Sequence, residues 1–332
     1  MPAYAIPLAN PNEDRFAELP HGIRLCYRTY GQPQHPAVVL IAGLGLQLVA
    51  WPMALIEGLT AAGFYVVIFD NRDIGRSSYV QQTPPPRWQL MLRWVGAKHY
   101  QIRDMAQDVA HLLEHLQLPQ AHVIGMSMGG MIAQNLAAQH PHKVLSLTSI
   151  FSTTGNPRVG HAAGSTVLRM LLGRTPHTLE QAQNKYVRMM RHIGNAKVPH
   201  IQDSWRHYIA QAWQRSDHQQ APAGYERQIA AIVAAGDRSA LLYRIDTPTL
   251  VIHGDKDRIV HPSGGAATAR SIGGARMHTI IGMRHQIDSV VTQDLLHLVV
   301  PHLQQATAAA ADAAQPPQAA ASAPDATDTA AA

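Results

Sequence analysis

The five residues Gly125-Met126-Ser127-Met128-Gly129 limit the fold more than anything else in this chain. They sit where an apolar run ends and a helical pattern begins. A serine at such a place is held on a sharp strand-to-helix turn, with its hydroxyl projecting clear of the sheet. The turn brings strand and helix backbones so close that only small residues fit on either side of it. The start of the helix also supplies an unused backbone N–H, that of Met128, and the positive end of a dipole, both suited to a developing oxyanion. A glycine-rich turn with an idle serine would give the same five letters, but it would not need a strand before them and a helix after. The motif therefore predicts a nucleophilic serine on an α/β framework.

The rest of the chain keeps that rhythm. Apolar, β-branched runs over residues 37–41, 65–69, 122–125, 144–150, 249–253 and 277–281 alternate with helical patterns, the signature of βαβ units and a mainly parallel sheet. Their near-continuous apolar character fits strands covered on both faces. Residues 23–30 alternate instead, and read as an antiparallel strand at the sheet edge. Over 104–116, Met105, Val109, Leu112, Leu113 and Leu116 fall on one helical stripe, with Asp104 placed to cap the first turn and Pro119 to end the element. The helix after Ser127 runs over 128–140 and stops at Pro141.

Between 155 and 240 the rhythm breaks. Helical patterns over 179–193, 201–215 and 225–235 contain no strand candidate, and an all-helical insertion between two strands reads as a cap over the sheet. The expected organisation is an α/β core over 1–154 and 241–303, a helical cap over 155–240, and a disordered tail over 304–332. That tail is rich in Ala and Pro and has no large apolar side chain to anchor it. A short Ala-rich helix at its start would be marginal at that length.

A nucleophilic serine needs a base, and the base needs an orienting acid. Two segments lie just past later strands, where open α/β sheets place their chemistry: Asp255-Lys256-Asp257 and Met283-Arg284-His285. Of the 20 histidines, His285 is set apart by its place between the last strand and the last helix. Either aspartate could orient it. A rival pattern, His111-Leu112-Leu113-Glu114-His115, matches the H-x-x-E-H of one zinc peptidase class. Both histidines point away from the apolar stripe, however, and no distal third ligand can be nominated, so this reads as a solvated helix face.

Taken in chain order, these segments resemble the α/β-hydrolase superfamily. The matching stretches are Ala42-Gly43-Leu44-Gly45, Asp70-Asn71-Arg72-Asp73-Ile74-Gly75-Arg76-Ser77, the turn at Ser127, His253-Gly254-Asp255-Lys256-Asp257 and Gly282-Met283-Arg284-His285. Within the superfamily, the Asn71–Ser77 loop and the Gly125–Gly130 turn are similar to aclacinomycin methylesterase-like hydrolases. The resemblance covers residues 20–303 and implies an α/β-hydrolase fold, a mostly parallel sheet flanked by helices with a helical cap. It implies Ser127 as nucleophile, His285 as base and Asp257 as the acid, with the N–H groups of Leu44 and Met128 as oxyanion donors. The activity implied is cleavage of a carboxylic ester, of methanol or another small alcohol, without metal or organic cofactor. Carbon–carbon hydrolysis of a dienoate, lactone opening and cofactor-free perhydrolysis use the same three residues. A ligand-binding receptor on this fold would not need all of them filled. One departure is Ala42, which stands where the superfamily usually has histidine; it bears on packing, since the donor is a backbone group. Arg72 and Arg76 read as structural members of their loop.

Composition fits this frame. A chain that is 46% hydrophobic and 15% charged suits a globular protein, and its single cysteine, Cys26, allows no internal disulfide. The net charge is +5, but Lys and Arg form no run of the kind nucleic-acid binders carry. Neither a signal peptide nor a membrane span is expected, and the chain reads as a cytoplasmic protein acting on a small-molecule ester. The charge excess is local. Residues 155–240 hold eleven Lys and Arg against five Asp and Glu. That raises the expectation of a negatively charged substrate, against the plainer reading of a generally basic surface.

Overall fold

The computed structural model describes residues 13–96, 98–171 and 175–314. Among them eight strands form one sheet: β1 (Arg15–Glu18), β2 (Arg24–Tyr30), β3 (Ala37–Ile41), β4 (Tyr65–Phe69), β5 (Ala121–Met126), β6 (Val144–Ile150), β7 (Thr249–Gly254) and β8 (Arg276–Ile280). Their spatial order is β1-β2-β4-β3-β5-β6-β7-β8. β2 runs antiparallel to both its neighbours, and every other pairing is parallel. The sheet edge expected at 23–30 lies one strand further out. β1 reads Arg-Phe-Ala-Glu with three of four residues exposed, too short and polar to show a pattern.

The helices are α1 (Met53–Ala61), α2 (Arg87–Met91), α3 (Ile102–His115), α4 (Met128–Gln139), α5 (Gly164–Leu171), α6 (Leu179–Ile193), α7 (Ile201–Arg215), α8 (Ala221–Ala235), α9 (Ser239–Leu242), α10 (Ser263–Ser271) and α11 (Ser289–Ala314). Two apolar layers cover the sheet, and the strands feed them alternately, as a period of two requires. Val39, Ile41, Val67, Phe69 and Val123 join α3 and α4 on one face. Val38, Leu40, Val66, Ile68 and Ile124 join α1 and α11 on the other. That double cover is why β3 and β4 read as unbroken apolar runs. In α3, Asp104 is the third helical residue rather than the cap. Its carboxylate accepts the N–H of Gln101 at 2.7 Å in a reciprocal capping box.

Helices α5–α8 lie between β6 and β7 in sequence, and α6 and α7 share a small apolar cluster built on Val187, Met190, Ile193, Ile201 and Trp205. Buried ion pairs tie the insertion to the loop after β4. Arg215 on α7 reaches Asp70 at 2.6 Å and also Asp14, and Arg227 on α8 holds both carboxylate oxygens of Asp73 at 2.6 and 2.8 Å. Arg238, buried just past α8, donates to the Thr153 carbonyl at 2.6 Å, joining the two ends of the insertion. Three of the eleven cations counted over 155–240 are thus buried in the scaffold.

Residues 304–314, expected as the start of a disordered tail, are helical instead. α11 continues to Ala314, with Ala306 buried and the Thr307 hydroxyl 2.9 Å from Nε2 of the buried His122 on β5. A helix that grows out of a packed amphipathic segment has no nucleation to overcome, which is why it outruns a reading based on the tail alone. Residues 315–332 lie outside the described residues. Among the described residues, no helix is long and apolar enough to cross a membrane.

Candidate active site

The parallel register aligns Ile41 of β3 with Gly125 of β5, and Met126 of β5 with Ile150 of β6, so their C-terminal ends open onto one rim. Ser127 follows β5 directly and precedes α4. Its backbone has φ 56° and ψ −120°, a conformation L-residues rarely adopt. The turn is paid for by close packing: a Cβ on Gly125 would collide with the Gly129 carbonyl, and one on Gly129 with the Ile41 carbonyl. The glycines expected on steric grounds are required by these two contacts. The Ser127 N–H is fixed by the Ile150 carbonyl at 2.9 Å, and the Ser152 hydroxyl donates to the Ser127 carbonyl at 2.8 Å.

His285 is carried on the loop after β8. Its Nε2 lies 3.0 Å from Ser127 Oγ and its Nδ1 lies 2.7 Å from Asp257 Oδ2. The loop is anchored to the insertion, because the His285 N–H donates to the Ile193 carbonyl at the end of α6. The ring also packs against Phe151, centroid to centroid 4.5 Å. Asp257 is buried, and its second oxygen, Oδ1, accepts the N–H groups of Ile259 and Val260 at 2.8 and 3.0 Å. Burial alone would raise its pKa. The charge of the His285 ring, then hydrogen bonds from His253, His285 and Val260, outweigh burial and hold the carboxyl well below its usual range. His253, fully buried, was legible only as part of the H-G-x-x-D stretch. Its Nε2 donates to the Val260 carbonyl at 2.9 Å and stands 3.5 Å from Asp257.

Met128 follows Ser127 directly, and Leu44 follows Gly43 in the loop after β3. A Cβ on Gly43 would stand 3.2 Å from Ser127 Cβ, which places Gly43 against the Ser127 side chain. Neither the Leu44 nor the Met128 N–H is taken by a described residue, whereas the Gly45 N–H is held by the Gln228 side chain at 2.9 Å. Ala42 is buried, and its carbonyl accepts the Asn71 side chain at 3.1 Å. Arg72 pairs with the buried Asp108 and Arg76 with Asp14. The H-x-x-E-H pattern resolves into local pairs: Glu114 with Lys143 at 2.9 Å, and His111 with Gln107 at 2.8 Å.

The sequence matches the alpha/beta hydrolase fold family over residues 36–287, and the chain belongs to it. Among curated relatives it is 29% identical to the rhodomycin D methylesterase DauP of Streptomyces sp. strain C5, over 83% of this chain and 94% of that one. It is also 29% identical to 3-oxoadipate enol-lactonase 2 of Acinetobacter baylyi, over 73% of this chain and 79% of the relative. Of solved structures, the meta-cleavage product hydrolase of Pseudomonas fluorescens IP01 superposes with a TM-score of 0.70 at 18% identity, covering 90% of this chain and all of that one, a likeness of fold.

Proposed function

We propose that this chain is a serine esterase that cleaves a carboxylic ester of methanol or another small alcohol through an acyl-enzyme. The observation that carries the reading is the line Ser127 Oγ, His285, Asp257, with gaps of 3.0 and 2.7 Å. Ser127 Oγ attacks the ester carbonyl while His285 Nε2 takes its proton. Asp257 keeps the other ring proton on Nδ1 and stabilises the imidazolium. The N–H groups of Leu44 and Met128 receive the oxyanion, adding stabilisation that grows as charge develops. His285 then returns its proton to the departing alcohol, and a water deprotonated by the same nitrogen releases the acid. The inserted helices serve as a cap that walls the pocket and sets substrate size.

The methylesterase and enol-lactonase names of the two curated relatives favour ester and lactone substrates, a lactone being an internal ester open to the same steps. The test is turnover of a short 4-nitrophenyl ester, run beside methyl esters, lactones and a coloured dienoate. Ser127→Ala should abolish ester turnover and labelling by a fluorophosphonate while leaving the fold intact. Full activity in that variant, with the label on another serine, would overturn the proposal. Dienoate cleavage without ester turnover would move the reaction to carbon–carbon bonds.

A further inference from the structure

Beside the loops that carry Asp257 and His285, α5 and α6 line an open crevice of about 300 Å³ with Arg169, Arg188, Arg191 and His192. Two more arginines converge on the same histidine from the core. Arg258, from the loop after β7, brings Nη1 to 3.3 Å from His192 Nδ1, and Arg284, from the loop after β8, donates to the His192 carbonyl at 3.3 Å. Because arginine can only donate, His192 Nδ1 must be the acceptor, which puts its single proton on Nε2, 2.9 Å from the Thr166 hydroxyl. Burial, followed by the charges of Arg169, Arg258 and Arg284, holds His192 below its ordinary pKa. It is a neutral strut inside a cationic cluster.

None of these five arginines meets a carboxylate within ion-pair distance among the described residues. Arg191, Arg258 and Arg284 donate to neutral acceptors only. The contrast within the same molecule is sharp, since Arg28, Arg72, Arg76, Arg215 and Arg227 each have an aspartate. Helix ends account for part of the cluster, since Arg169, Arg191 and His192 lie in last turns and suit the negative end of a helix dipole. That reason does not extend to Arg258 and Arg284. Like charges converging from four chain segments repel one another, and a bound anion relieves that repulsion.

We infer that this crevice is a binding site for a small phosphate-type polyanion, held by Arg169, Arg188 and Arg191, with Arg258 and Arg284 beside it on His192. A polyanion is favoured because one negative charge would leave most of the cluster uncompensated. The exposed Val167, Leu168 and Met170 beside Arg169 make an anionic membrane surface the rival occupant. Concavity favours the small ligand, because guanidinium groups that converge on a hollow do not lie flat against a bilayer.

The experiment is calorimetric titration of the full-length protein with inorganic pyrophosphate, in parallel with orthophosphate and with phosphatidylglycerol vesicles. Binding is read without turnover, so the result stands whatever substrate Ser127 attacks. Pyrophosphate should bind one saturable site, at least about tenfold more tightly than orthophosphate, and more weakly as salt rises from about 50 to about 200 mM. The double variant Arg188→Gln/Arg191→Gln should lose at least about tenfold in affinity, and the exposed Arg103→Gln on α3 should stay within about twofold. Both replaced side chains of the double variant are exposed, so an unchanged melting temperature verifies its fold. No saturable binding below about 1 mM, or equal binding by the double variant, would overturn the site. So would capture by phosphatidylglycerol vesicles alone, which would assign the surface to a membrane.

Discussion

Asp255 and Asp257 stand two residues apart on the turn after β7 and direct their carboxylates to different points of the one loop that follows β8. Asp255 accepts the N–H of Gly282 and pairs with the exposed Lys256 at 2.9 Å, whereas Asp257 meets His285 Nδ1 at 2.7 Å. One braces the loop after β8, and the other addresses the ring that loop carries.

Their asparagine variants should therefore part company. In Asp257→Asn, Oδ1 can still accept the N–H groups of Ile259 and Val260, which leaves the amide nitrogen facing His285. A donor there forces the ring proton onto Nε2, where it cannot receive the Ser127 proton. We expect kcat on a 4-nitrophenyl ester to fall by at least about 10²-fold, against a change within about tenfold for Asp255→Asn. The opposite ranking would make Asp255 the orienting acid. Small, equal effects would place that acid on another strand.

Removing Arg215 should destabilise the protein by about 3–5 kcal/mol in urea unfolding, because Asp70 is left buried without its cation. Asp14 loses less, since Arg28 and Arg76 still reach it. The double variant Arg215→Met/Asp70→Asn should recover part of the loss. Strict additivity of the two single losses would show that the pair is not coupled.

His122 sets a pH dependence of stability. Burial, with His302 nearby, holds its pKa down at about 4, against about 6.5 in an unfolded chain. A histidine that resists protonation when folded favours unfolding as the unfolded chain takes up protons. Its contribution is whole above pH ~6.5, declines on acidification and is gone below pH ~4, an upper limit of about 3 kcal/mol. Denaturant melts of wild type and His122→Gln across that window should converge toward acid. Parallel curves would remove His122 from the account.

Truncation after Leu303 should lower the melting temperature by about 3–6 °C, since it deletes buried Ala306 and the Thr307 hydroxyl that meets His122. Truncation after Ala314 should not, because residues 315–332 carry no aromatic or large aliphatic side chain that could pack on an apolar surface. Equal melting temperatures for both truncations and the full chain would show that the last turns of α11 add nothing.

The strands from β3 to β7 were legible because helices cover both their faces, and the serine turn because its steric demand leaves only glycine beside it. β1 was not legible, having no apolar pattern to read. Asp108 falls on the buried face of α3, and its partners Arg72 and His21 lie 36 and 87 positions away. The charge excess over 155–240 was visible as a count, but its division between buried struts and an exposed crevice was not. That division depends on carboxylates such as Asp70 and Asp73, 145 and 154 residues from their arginines. Long-range ion pairs have no sequence period, and so leave no local trace.

Arg215 and Arg227 also bear on how this enzyme could be re-engineered. The loop after β4 doubles as a socket, with Asp70 and Asp73 as its two contacts, and the inserted helices plug into it through guanidinium groups. An exchange of residues 155–240 for the corresponding part of another hydrolase would graft cleanly only if the donor brings arginines to those two positions. Any other donor would leave two carboxylates stranded in the interior. A chimaera built on loop boundaries alone should misfold, whereas one that also replaces Asp70 and Asp73 with the donor's own residues should fold and carry the donor's substrate range.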